Sequence, residues 1–231
     1  MTTKLQLLVI GLLVLLSAPL CAVNVAAKGK WKVLFDGKST DSWRGYKRDD
    51  FPAKSWIIEN GAIKTVVGAE RVDLITKDKY RNFVLELEWR VSPKGNSGII
   101  YNVSEDLEQS WHTGLEMQVL DDGGHVDGKS PKTSAGALYA LIAPTGSVLR
   151  PVVQFNKSRL VVSDNRVEHW LNGKKVVAYT LGSDELKGLI AQSKFKEFPR
   201  FAQEPGGHIG LQHHGEEVWY RNIRIRNLDE K

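Results

Sequence analysis

The sequence predicts an all-β fold, a jelly-roll β-sandwich with one or two short helices. Three observations carry this. Most segments alternate apolar and polar residues with period two, the pattern of a strand with one face in a core. Turn dipeptides separate them, and Asn60-Gly61 and Asn172-Gly173 suit two-residue hairpins. No repeat of roughly 20–50 residues is visible, which excludes propellers and solenoids. Composition agrees: of 231 residues, 42% are hydrophobic and 26% charged, which excludes a disordered chain or a coiled coil.

The N-terminus reads as a targeting segment. Lys4 precedes a run of 12 residues, Leu5 to Leu16, apolar but for Gln6 and too short for a membrane span of about 20. Ser17, Ala18 and Pro19 break the run, and Val25-Ala26-Ala27 ends it with small residues. A secretory signal peptide is expected over residues 1–27, cut after Ala27. One domain is then expected over 28–231, periplasmic or secreted, with no membrane span after cleavage. Cys21 is the only cysteine, so the exported chain would have no disulfide and no thiolate site.

Each strand follows from its own alternation. Over 84–90, Leu85, Leu87 and Trp89 share one face, and Glu86, Glu88 and Arg90 the other. Over 115–119, Leu115, Met117 and Val119 oppose Glu116 and Gln118. Over 208–214, Ile209 and Leu211 oppose His208, Gln212 and His214. Further strands are expected at 31–35, 55–58, 62–67, 137–142, 159–163, 166–171, 175–180 and 217–226. One helix is expected near 184–194, where Asp184 and Glu185 favour a first turn and Leu186, Leu189 and Ile190 form an apolar stripe.

These patterns also assign polar faces. Carboxylates, an arginine, amides and imidazoles are an unusual choice for a plain solvent face. If the three polar strands are neighbours in one curved sheet, they line a groove suited to sugar hydroxyls. The Gly-rich turn Pro93–Gly98 offers Asn96. The acidic loop Asp121–Gly128 offers Asp121 and His125, and it admits a divalent metal ion, although its spacing is not that of an EF-hand. His213 shares the parity of Ile209 and Leu211 and is expected to be tucked in. His169 is expected to be packed and hydrogen-bonded. Trp111 and Trp219 flank the polar segments as candidate sugar platforms, with core the default for each tryptophan.

Several function classes drop out. The formal charge is +5, but the basic residues are scattered, and Phe195, Glu197 and Phe198 interrupt the densest cluster, Lys187–Arg200. Nucleic acid is therefore not an expected partner. No nucleophile elbow, phosphate loop, dinucleotide fingerprint or His-Glu-x-x-His is present.

Ordered motifs then resemble a known family. They include Leu34-Phe35-Asp36-Gly37, Leu87-Glu88-Trp89-Arg90 leading to Gly95-Asn96-Ser97-Gly98, Thr113-Gly114-x-Glu116-x-Gln118-x-Leu120-Asp121, and Gly136-Ala137-Leu138-Tyr139. Val167 to Gly173, Gly207-His208-Ile209-Gly210-Leu211-Gln212-x-His214-Gly215, and Trp219-x-Arg221-Asn222 complete the set. Together they resemble the 3-keto-disaccharide hydrolase family over about 31–226. One departure is His213, where that family usually has Asp.

The resemblance implies a concanavalin A-like sandwich and an exported enzyme acting on 3-keto-glycosides. A C3 ketone acidifies the C2 proton, so a base can remove it, the C1 substituent leaves by elimination, and water adds. Glu116 or His214 is the candidate base, and Glu88 or His214 the candidate helper of the leaving group. Arg90, Arg221 or a divalent metal is the candidate partner of the enolate charge. Asn96, Gln118, Asp121, His125, Tyr139 and Gln212 are the candidate hydroxyl-binding residues. The substrate is a small carbohydrate, and a sugar 3-oxidoreductase is the implied functional partner. The alternative is a carbohydrate-binding module without catalysis on the same fold. A conventional endoglucanase ranks lower, because no Glu-x-Asp-x-x-Glu strand is present, and a structural envelope protein leaves the polar face unexplained.

Overall fold

A computed structural model describes residues 29–146 and 148–230. The signal peptide expected over 1–27, with Cys21, lies outside the described residues. Among those described, no helix is long and apolar enough to cross a membrane.

The described residues form thirteen strands and one α-helix, in chain order β1 Trp31–Phe35, β2 Trp43–Gly45, β3 Trp56–Glu59, β4 Ala62–Thr65, β5 Leu74–Thr76, β6 Phe83–Val91, β7 Asn96–Val103, β8 Leu115–Leu120, β9 Asn156–Ser163, β10 Arg166–Leu171, β11 Lys174–Thr180, α1 Asp184–Ala191, β12 His208–Leu211 and β13 Val218–Asn227. They form two antiparallel sheets. The large sheet runs β11-β10-β9-β6-β13-β4-β3, with β1 added on β13. The small sheet runs β2-β5-β12-β7-β8. This is the jelly-roll sandwich that the alternation predicts.

The core lies between the sheets. Leu85, Leu87 and Trp89 of β6 face Ile99 and Tyr101 of β7, Leu115, Met117 and Val119 of β8, and Ile209 and Leu211 of β12, all fully buried in one cluster. Burial on this scale is the main force holding two sheets of this size together. A polar bridge between the sheets runs through the core: Tyr101 Oη lies 2.9 Å from His169 Nε2, and His169 Nδ1 lies 3.1 Å from the Gly136 carbonyl. The carbonyl only accepts, so Nδ1 carries the proton and Nε2 accepts from the tyrosine. His169 is the packed, hydrogen-bonded histidine that its parity predicts.

Local chemistry sets the hairpins. Asn60 and Gly61 have φ of 50° and 72°, and Asn172 and Gly173 have 48° and 85°. Two consecutive positive φ values match the twist of the flanking strands in a two-residue turn. The helix begins as expected, with Ser183 Oγ accepting from Leu186 N–H, but it ends at Ala191. A separate 3₁₀ turn, Lys194–Glu197, is capped by Ser193.

Three expectations change. Residues 137–142 form no strand. They fold as a tight loop on the edge of β8, with single bridges from Leu138 to Met117 and to Ile142. Residues 96–103 do form a strand, β7, in the middle of the small sheet next to β8 and β12; the turn before it spans only Pro93–Gly95. The three polar strands do not share one sheet. β8 and β12 lie in the small sheet and β6 in the large one, so their polar faces point away from each other across the sandwich.

Candidate active site

On the outer face of the small sheet, Ile75, Ile100 and Val103 form a minor apolar cluster against Tyr46 and Trp111. On the other side of Trp111, Asn96, Trp111, Glu116, Tyr139, Lys194, Phe195, Gln212 and His214 line a cavity of about 210 Å³. It draws on β7, β8, the end of β12, the 134–142 loop and the 3₁₀ turn after α1.

Glu116 forms the floor. Alternation on β8 sends Leu115 and Met117 into the core and Glu116 outward, where it is 7% exposed. Burial raises its carboxyl from the usual 4.5 to about 8; nearby Lys194 opposes that rise, and Asp73 and Asp127 add to it. At neutral pH Glu116 is therefore a neutral acid, able to donate a proton.

His214 forms the wall. Gln212 N–H donates to Gly98 carbonyl at 3.0 Å, and Ser97 Oγ donates to Gln212 carbonyl at 2.6 Å, so the chain leaving β12 is clamped to β7. His213 N–H then donates to Asp73 Oδ1 at 2.8 Å. Asp73 also accepts from Ser110 Oγ, tying this segment to the turn that carries Trp111. Gly215 takes φ +126°, which folds the chain back on itself. Glu216 thereby reaches His214, with Oε2 2.9 Å from Nδ1. A carboxylate at this distance accepts from Nδ1–H, so Nε2 keeps the lone pair. His214 is thus arranged as a base, oriented by Glu216.

His125, His214 and Glu216 bring ligand-type atoms within 4.8 Å of one another, close enough for one divalent ion. The donor set is partly engaged as arranged. His125 Nδ1 accepts from the Asp127 amide at 3.1 Å, which ties up that nitrogen. The His214–Glu216 hydrogen bond uses only Nδ1–H and one carboxylate oxygen, so His214 Nε2 and the second carboxylate oxygen stay open.

The expected residues divide. Asn96, Glu116, Tyr139, Gln212 and His214 line the cavity, and His125 stands beside it, with Nε2 3.4 Å from the Asn96 amide and its ring 5.9 Å from that of His214. Burial pushes the Tyr139 hydroxyl pKa up, and that hydroxyl donates to Asp127 at 3.2 Å. Gln118 and Asp121 hold loops instead. Gln118 Nε2 donates to the Thr133 carbonyl, and Asp121 accepts from the Lys94 and Gly123 amides.

Glu88, Arg90 and Arg221 lie on the far side of the sandwich, because β6 and β13 belong to the large sheet. There Arg221 pairs with Glu88 at 2.8 Å, and the Arg90 guanidinium lies 4.2 Å from the Trp219 ring. Trp219 is therefore covered by a cation and is no sugar platform, whereas Trp111 lines the cavity. A larger groove of about 400 Å³ on that face is lined by Glu86, Glu88 and Arg224. Its carboxylates already neutralise cations, as in the Glu86–Arg224 pair at 2.6 Å, so it offers less reactive chemistry. His213 is tucked in as expected, 2% exposed and edge-on to Trp56.

Two residues escaped the sequence reading. Glu216 carried a signal: an acid two residues after His214, with a glycine between. Lys194 carried none, since it sits in a stretch that reads as a scattered basic surface.

The chain is similar to known proteins over most of its length. Residues 30–226 match the 3-keto-alpha-glucoside-1,2-lyase-like domain. A protein of Bacteroides thetaiotaomicron named 3-keto-disaccharide hydrolase is 35% identical over 226 residues, covering 85% of this chain and 78% of that one. A solved structure from Parabacteroides distasonis, assigned as a glycosyl hydrolase, superposes with a TM-score of 0.80 at 30% identity, covering 87% and 94% of the two chains. A carbohydrate-binding module from Bacillus subtilis shares the fold at a TM-score of 0.52 and 9% identity, over 80% of this chain and 96% of that one.

Proposed function

This chain belongs to the 3-keto-alpha-glucoside-1,2-lyase-like family, and from that premise we propose that it cleaves 3-keto-glycosides by elimination and hydration. The observation that carries the reading is the pairing of a neutral buried acid, Glu116, with an oriented imidazole, His214, in one small cavity. An acid and a base held in different protonation states suit a reaction that needs both at one pH. A cavity of about 210 Å³ suits one sugar ring.

The ketone at C3 makes the C2 hydrogen acidic. His214 Nε2 takes that proton, and the C–H electron pair forms the C2–C3 double bond while charge moves to the C3 oxygen. The charge then returns, the C1–O bond breaks, and Glu116 protonates the departing oxygen. The product is an enone between C1 and C3. Water adds at C1, and the proton returns to C2, completing a net hydrolysis. This differs from ordinary glycosidases, in which two carboxylates flank the bond and charge develops on C1. Asn96, Gln212 and Tyr139 are placed to hold hydroxyls. The ketone must be supplied by a sugar-oxidising enzyme. The leader expected at residues 1–27 supports a reaction in the periplasm or outside the cell.

The test incubates the protein with a 3-keto-α-glucoside and with its unoxidised parent and follows release of the leaving group. Release from the keto compound alone is expected. Release from the parent points to an ordinary glycosidase. Sugar binding with no release from either compound points to a binding module.

A further inference from the structure

The elimination proposed above places negative charge on the C3 oxygen, and that charge needs a partner. The arginines that the sequence offered are across the sandwich and already paired or stacked. The cation at the cavity is Lys194. Its Nζ lies 4.5 Å from the Tyr139 ring centroid, 5.3 Å from Phe195 and 5.5 Å from Trp111. Among the described residues it forms no ion pair with a carboxylate. Its position is fixed from below: Ser193 accepts from the Phe195 amide at 3.1 Å and donates to the Ile190 carbonyl at 2.9 Å, so the turn carrying Lys194 is locked to the end of α1.

Aromatic faces hold an ammonium without cancelling its charge. Lys194 is exposed at the rim of the cavity. A sugar entering beneath it removes water from one side and strengthens its interaction with any charge that develops there. Its neighbour Glu116 is neutral at neutral pH, so the ammonium is not consumed by that carboxyl.

We propose that Lys194 is a catalytic residue, the cation that stabilises the C3 oxyanion as the C2 proton leaves. The inference rests on the elimination reading. No covalent bond to the lysine forms: the carbonyl π pair moves to oxygen, and the ammonium donates a hydrogen bond to it.

The test separates proton removal from bond cleavage. The wild-type protein, Lys194→Met and Lys194→Arg are compared on a 3-keto-α-glucoside. The same three are then given a 3-keto C-glucoside, whose C1 carbon substituent cannot leave, in deuterated water. Lys194→Met is expected to lower kcat by about 10²–10³-fold, the range for losing one oxyanion partner. It should slow C2 hydrogen–deuterium exchange in parallel, with circular dichroism unchanged. Lys194→Arg should recover part of both, and Lys196→Met should change neither. If Lys194→Met keeps kcat and exchange while only KM rises, Lys194 is a binding contact and the proposal fails. If the wild-type protein cleaves the keto compound with no C2 exchange in any variant, proton removal is not the step that Lys194 serves. If the wild-type protein acts only on the unoxidised parent, the elimination reading itself is overturned, and the proposal with it.

Discussion

Gly98 leaves the space that the Glu116 carboxyl occupies. The two residues sit on adjacent strands, and a methyl group on Gly98 would overlap Glu116 Oε1 and crowd its Cδ and Cγ. A glycine in the middle of a strand ordinarily weakens it, so its presence here marks a close approach. Gly98→Ala should therefore displace the Glu116 carboxyl. The expected outcome is loss of turnover with a stability cost of about 1–3 kcal/mol, the range for overpacking. Kinetics and a urea melt check it; an alanine variant with normal kcat would remove Glu116 from the chemistry.

Glu116 also predicts a pH dependence. Its native carboxyl is raised by burial to about 8, against 4.5 for the unperturbed group. The native state thus holds a proton that the unfolded state gives up between these values, so stability falls as pH rises from about 4.5 to 8. Glu116→Gln keeps the shape and has no proton to lose. It should be inactive, and at pH 8 it should be more stable than wild type by a few kcal/mol, an advantage that vanishes towards pH 4.5. Wild-type kcat should decline above pH 8 as the acid ionises. Equal pH dependence of stability in both proteins would show that Glu116 is not the neutral acid.

Much of this was legible in the chain. The two Asn-Gly hairpins are local backbone chemistry and came out as read. So did the outward direction of Glu116 and the inward direction of His213, because parity depends only on the strand's own pattern. Parity says nothing about which sheet a strand joins. That is why Glu88 and Arg90, correctly read as outward, face the wrong side of the molecule. β7 was hidden because Asn96, Ser97 and Gly98 look like turn residues. They are small and polar because Asn96 lines the cavity, Ser97 bonds Gln212, and Gly98 gives way to Glu116. Function there overrode strand propensity.

The His214–Glu216 pair carries the third prediction. If Glu216 fixes the tautomer of the base, His214→Ala should lower kcat by about 10²–10⁴-fold, the usual contribution of general-base catalysis. Glu216→Ala should lower kcat by a smaller factor and leave KM nearly unchanged, since the imidazole remains but its orientation is lost. Chelation by EDTA should leave wild-type turnover intact, and Zn²⁺ should inhibit by drawing both groups onto the ion. Loss of activity in EDTA with recovery on adding a divalent metal would reverse this assignment and make the His125–His214–Glu216 trio a metal site.

The bridge across the core predicts where acid weakens the fold. His169 is fully buried, accepts from Tyr101 and donates to the Gly136 carbonyl, so it must stay neutral. Burial lowers its pKa from 6.5 to about 4. A depressed imidazole means that the unfolded chain takes up a proton which the native state refuses. Stability is therefore full above pH 6.5 and falls as pH drops towards 4, by up to the order of 3 kcal/mol in all. His169→Gln retains a donor and an acceptor but cannot be protonated. It should be somewhat less stable at pH 7, through imperfect packing, yet lose less between pH 6.5 and 4. Carboxylates titrate at the acid end of this window in both proteins, so the informative quantity is the difference between their urea midpoints at each pH. That difference should shrink steadily as the solution is acidified below pH 6.5. Two parallel curves would mean that another group governs the acid limb and that the Tyr101–His169 bridge tolerates a charge.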